Sequence, residues 1–202
     1  MKLKGLREYA KEDYIHNYLH FAFLSNVLRN KKELLEFNRL FKKADRLSTE
    51  AENTSEKIFD SIIDLYNRLN EKEMPEAEIT SKINEIIEML EREDKMELEL
   101  IETSTKIHQT ILDMLMRSVE NVTRPNPINK DKIMDGIEDL KNRLEEMHEL
   151  LLRINNITKE LINIMEEAKQ NASQRLELLE QAIEVFHKRD EISDELDKLF
   201  PD

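Results

Sequence analysis

The side chains best placed to do chemistry in this chain are five histidines and a set of closely spaced carboxylates. Glu145/His148 and Glu184/His187 form two Glu-x-x-His pairs, the spacing that can aim two ligands of a bundle-core metal site inward from one helix. The apolar pattern around them turns both pairs the other way. With Leu144 and Met147 on the apolar stripe, Glu145 faces outward and His148 flanks the stripe; with Ala182 and Phe186 on it, Glu184 and His187 face solvent. His108 falls on a stripe beside Thr105 and is expected to be a core histidine hydrogen-bonded across the bundle. His16 and His20 share a face at i, i+4, a metal-capable spacing. Asn17, Tyr18 and Leu19 between them offer no general base, so aromatic-face packing is the expectation.

Three further pairs, Asp60/Asp64, Asp135/Asp139 and Asp190/Asp194, are carboxylates one helical turn apart. In these D-x-x-x-D pairs, and in a helix–Pro loop–helix at residues 107–140, the chain resembles the PhoU-like phosphate-uptake regulators. That resemblance implies duplicated three-helix bundles binding metal or ligand, with Asp60, Asp64, Asp135 and Asp139 as candidate ligands. The chain departs from the family at Thr103-Ser104-Thr105, where an acidic pair would more often stand. Charged i, i+4 pairs are also what any solvated helix flank contains, and the primary expectation is no metal and no cofactor. A phosphate-cradling Gly-rich loop, a nucleophile elbow and a catalytic triad are all missing, and two glycines could hardly build the first two. The expectation is a non-enzyme.

The elements that carry these residues are helices. Two Gly and four Pro in 202 residues leave few places for tight turns, and 37% charged with 39% hydrophobic residues matches a coiled-coil composition. The stretch from Ile133 to Phe186 advances in steps of three and four through Ile137, Leu144, Met147, Leu151, Ile154, Leu161, Met165 and Leu179, broken only by Thr158 and Arg175. A second seam runs Phe37, Leu40, Ala44, Leu47, Ala51, Thr54, Ile58, Ile62, Leu65, Leu69. A third runs Ile79, Ile83, Ile86, Leu90, loses phase through residues 91–94, and resumes as Ile101, Thr105, His108, Leu112, Leu115. Pro75 and the run Thr123-Arg124-Pro125-Asn126-Pro127 separate the seams. Residues 169–173 are the weakest point of the last one, because Asn171 and Ser173 compete with helical hydrogen bonding.

The expected fold is therefore all-α: an elongated antiparallel helical bundle or coiled coil of three long helices, at about 31–73, 77–121 and 129–199. Any break in the third would fall near residue 171. Residues 1–30 form a separate aromatic-rich helical segment, since seven of the eleven aromatics precede residue 42. The remainder, 31–202, forms the bundle. Residues 57–71 match 132–146 at ten of fifteen positions, which suggests two related hairpins.

The net charge of −13 argues against nucleic-acid binding, which needs clustered Lys and Arg. It also argues against a BAR-like membrane module, which needs a basic concave face. Residues 1–50 carry 11 basic against 7 acidic residues, so the acidity lies downstream. No apolar run reaches the length of a membrane span, and a cytoplasmic setting is expected. If the first helix runs on from residues 6–30, giving about 6–73, the middle helix at 77–121 is shorter than both neighbours and would leave apolar seam uncovered, which predicts a homodimer or a protein partner. Tyr14, Tyr18, Phe21 and Phe23 are the candidate partner-binding residues, in a run too apolar all round for a solvent-facing helix.

Overall fold

The computed structural model describes residues 31–71, 74–120 and 130–199. Among them it contains four helices and no strand: α1 (Lys31–Glu71), α2 (Glu76–Glu120), α3 (Lys130–Gln170) and α4 (Arg175–Leu199). No helix among the described residues is long and apolar enough to cross a membrane.

The expectation of three long helices is corrected to four. The stretch 129–199 is not one helix; it turns at residues 171–174 and starts again at Arg175. The interruption lies where Asn171 and Ser173 weaken the helix, and it is made without glycine or proline. Asn171 N–H closes on the Glu167 carbonyl at 2.9 Å, and Gln174 N–H on the Asn171 carbonyl at 3.2 Å. No described residue has a positive φ, so the left-handed cap that usually ends a helix is not used. Arg175 takes its place. Its Nε donates to the Ala168 carbonyl at 2.9 Å, satisfying one of the orphan acceptors at the end of α3. Its two Nη groups grip the Glu76 carboxylate at 3.0 and 2.7 Å. One buried guanidinium thus ties together the end of α3 and the starts of α2 and α4.

The described residues divide into two compact units, with boundaries inside the helices: those within 47–100 and 150–195, and residues 31–46 with 101–120, 130–149 and 196–199. The first is a four-helix unit. Antiparallel neighbours α1 and α2 meet at Pro75, whose carbonyl accepts from Glu78 N–H at 2.9 Å and Ile79 N–H at 3.1 Å to start α2. Its core packs Ile58, Ile62 and Leu65 of α1, Ile83, Ile86 and Leu90 of α2, Leu161 and Met165 of α3, and Leu179 and Phe186 of α4. Phe59 stacks on Phe186 with ring centres 5.2 Å apart. Because α4 returns here, the 175–195 seam is covered within the unit. The overhanging apolar stripe that motivated an oligomer does not arise in this stretch.

The α2 seam also differs from expectation. Its phase is never lost: Ile79, Ile83, Ile86, Leu90, Glu93, Glu97, Leu100, Ser104, Ile107, Ile111 and Met114 advance in unbroken steps of three and four, and all are buried. Two glutamates and a serine at core positions disguise a continuous stripe as a break. The second half is accordingly one residue out of the expected register, with Thr105 exposed and His108 only half-buried.

The Arg175 clamp has a measurable consequence. Arg175→Met should cost about 1–2 kcal/mol in urea unfolding, chiefly through the lost buried bond to Ala168. Arg175→Lys should recover less than half, because an ammonium lacks the fork that reaches carbonyl and carboxylate together.

Candidate functional site

The most unusual chemistry in the four-helix unit is a polar layer across its core, to which every helix contributes. Heptad spacing sets Glu93 and Glu97 of α2 one turn apart on the buried stripe, and Glu93 has no solvent exposure at all. Thr158 holds the equivalent stripe position on α3, with Asn155 beside it, and Arg189 continues the α4 stripe three residues after Phe186.

Arg189 Nη2 donates to Glu93 Oε1 and to Glu97 Oε1, each at 2.7 Å. Its Nη1 meets the hydroxyl of Ser55 on α1, and its guanidinium lies 5.5 Å from the centre of the Phe186 ring. Glu97 is further held by Thr158 Oγ1 at 3.1 Å and Asn155 Nδ2 at 3.2 Å. Asn155 Nδ2 also reaches Asp94 at 2.8 Å, and Lys159 Nζ closes the rim on Asn155 Oδ1 at 2.8 Å. Two atoms of the layer have no partner, Glu93 Oε2 and Arg189 Nε.

The electrostatics follow from burial and from two carboxylates meeting one guanidinium. Desolvation pushes the Glu93 carboxyl up to about 7, and Glu97 adds to the rise; the pull of Arg189 offsets only part of it. Burial alone would lower the Arg189 pKa, but Glu93 and Glu97 together hold it above its usual value.

The residues singled out from sequence lie elsewhere. Asp60 and Asp64 are exposed on α1, lining an open depression with Ser61, Lys82, Glu85 and Ile86; Asp64 lies 3.8 Å from Arg68. Asp135 and Asp139 are exposed on α3 in the other unit, where Asp139 accepts from Arg143 Nε at 3.1 Å. Among the described residues no group of three or more His, Cys, Asp or Glu could hold a metal. Glu145 is exposed beside Lys141 at 3.8 Å, and His187 is exposed beside Asp190 at 4.0 Å. Tyr14, Tyr18, Phe21 and Phe23, with His16 and His20, lie outside the described residues.

His108 sits in the other unit, where burial first and His148 second push its pKa down to about 4. Thr105 Oγ1 donates to the Ile101 carbonyl at 2.8 Å and stands 3.4 Å from His148 Nδ1. His108 is therefore neutral in the fold at pH 7.

Glu93, Glu97, Asn155, Ser55 and Arg189 were all missed as a group. The available signal was the unbroken three-and-four spacing from Ile79 to Met114, legible only if charged residues are allowed on the stripe. Comparison with family models, with curated proteins and with solved structures finds no match to this chain. The geometry therefore stands alone.

Removing one member of the layer should be worse than removing its charges together. Arg189→Met leaves two buried carboxylates without their cation and should cost about 3–5 kcal/mol in urea unfolding. Adding Glu93→Leu and Glu97→Leu to it should recover most of that loss, because the uncompensated charge goes with them. His108 supplies a pH dependence of defined sign. Its folded pKa is depressed, so its contribution is present above the unfolded value of 6.5 and is lost as pH falls toward 4. His108→Leu should remove about 2 kcal/mol of acid sensitivity in that window, read from melts between pH 4 and 7.

Proposed function

We propose that the chain is a non-catalytic, cytoplasmic coiled-coil scaffold or adaptor, whose helices mount residues 1–30 for a protein partner. Tyr14, Tyr18, Phe21 and Phe23 are the contact residues of this reading. The observation that carries it is the way the buried polar groups of the four-helix unit are used. Arg189, Glu93, Glu97, Thr158 and Asn155 bond to one another and to Ser55 across helices, and Arg175 caps a helix end. Side chains spent on joining helices make a supporting framework, and this reading assigns recognition to the aromatic-rich residues 1–30. Aromatic side chains suit that task, since they bring large contact area at low entropic cost.

Native mass spectrometry on protein purified from its source tests this directly. A homodimer or a complex with a second protein is the expected result, and alanine at Tyr14, Tyr18 and Phe21 should abolish it with helicity intact. A bare monodisperse monomer, stoichiometric bound metal, or loss of helicity in the triple variant would overturn the assignment.

A further inference from the structure

The polar layer holds two carboxylates against one guanidinium, and the count matters in a dry core. With Glu93 and Glu97 both ionised, the layer carries one negative charge in excess, and Glu93 Oε2 faces no donor. A buried carboxylate in that condition is costly, because neither water nor a second cation offsets its lost hydration. The surrounding elements bring no second cation into the layer. From α1 the Ser55 hydroxyl reaches the layer, and its hydrogen bonding, which favours the ionised Glu93, is the weakest influence on that carboxyl, while Glu52 and Glu56 are exposed. From α2 the neighbouring groups are Glu97 and Asp94, both acidic. From α3, Asn155 and Thr158 are neutral, and Lys159 is taken up at the rim, 2.8 Å from Asn155 Oδ1 and 3.9 Å from Asp94. From α4, Arg189 is the buried cation that reaches the layer; Arg175 is buried too but is taken up by the Ala168 carbonyl and Glu76, and His187 and Lys188 are exposed.

We propose that this layer is a proton-operated latch on α4: a proton on Glu93 makes the layer neutral and holds residues 175–195 in the bundle, and its loss loosens them. An ionised Glu93 draws Arg189 more strongly, but its lost hydration outweighs that pull. The helix that carries Arg189 across the layer, and whose movement would admit water there, is α4. Loosening it would uncover Leu179, Val185 and Phe186, apolar residues otherwise in the core. The sign follows from linkage. Glu93 titrates at about 7 in the fold against 4.5 in an open state. Its hold is complete below 4.5, declines as pH rises through that interval, and is gone just above 7.

Two measurements on the full chain test the latch. Carbon-13 carboxyl labelling of glutamate should show one resonance titrating near pH 7 that is missing from Glu93→Gln. Amide hydrogen exchange across α4, corrected for intrinsic rate, should show an opening constant that rises by up to tenfold per pH unit between 5 and 7. The rise should total on the order of a hundredfold and then level off. Glu93→Gln, a fixed neutral mimic, should hold α4 closed and flatten the dependence. A wild-type spectrum with no glutamate titrating above pH 6 would sink the proposal without recourse to any variant. So would α4 exchange that is unchanged from pH 5 to 8, or a Glu93→Gln variant that retains the slope.

Discussion

A guanidinium in the middle of a helical core constrains everything around it. Arg189 can be buried only because Glu93 and Glu97 meet it from α2 and Ser55 meets it from α1. Glu97 in turn is tolerable only because Asn155 and Thr158 reach it from α3. Apolar stripes with a three-and-four repeat are nearly self-similar, so sliding one helix by a heptad would change little in the packing of Ile, Leu and Ala. The same slide would strand a charge in the core, at a cost of several kcal/mol. The layer thus does for register what an isolated polar residue does in a coiled-coil seam. Stability comes from the apolar residues on either side of it, and the choice of one alignment comes from the layer.

Arg175 does comparable work at the turn between α3 and α4. A chain with only Gly5 and Gly136 has no glycine there to close a helix by a left-handed residue. An arginine side chain supplies the missing donor instead, and its free fork binds α2. Sequence pattern had marked Thr158 and Arg175 as the two breaks in the long seam. Both are buried and both make interhelical bonds, so the irregularities were the informative positions. Glu93 falls in the stretch 91–94 where the apolar pattern loses phase, and Glu97 in the gap before Ile101, because a pattern of apolar residues alone treats charge as a sign of exposure. That misplaced the register of the rest of α2 and moved Thr105 from surface to core. The helix count failed for a related reason: a turn built from Asn171 and side-chain capping carries little of the Gly or Pro signal that marked Pro75 and the 123–127 loop.

The candidate chemistry was less legible than the fold. Carboxylates at i and i+4 read equally as metal ligands or as partners for a basic residue on the same face. Here Asp64 and Asp139 each have an arginine one turn further on. Spacing along one helix could not decide this, because a metal site needs ligands from several helices and no single helix records its neighbours. The similarity between 57–71 and 132–146 has the same ambiguity. The first copy ends α1 and the second begins α3, so the matched residues occupy opposite ends of their helices.

Glu93 and His108 also give the two units opposite responses to pH. Glu93 is held protonated by desolvation, and the four-helix unit loses that contribution as pH rises from 4.5 to 7. His108 is held neutral by desolvation, and its unit loses that contribution as pH falls from 6.5 toward 4. One physical cause, the removal of a titratable group from water, therefore acts with both signs in one chain, because it penalises the charged form of an acid and of a base alike. Between pH 4.5 and 6.5 the two effects oppose each other in any global measure of unfolding. A nearly flat stability profile in that range is then the sum of two slopes, and only a readout confined to one unit separates them.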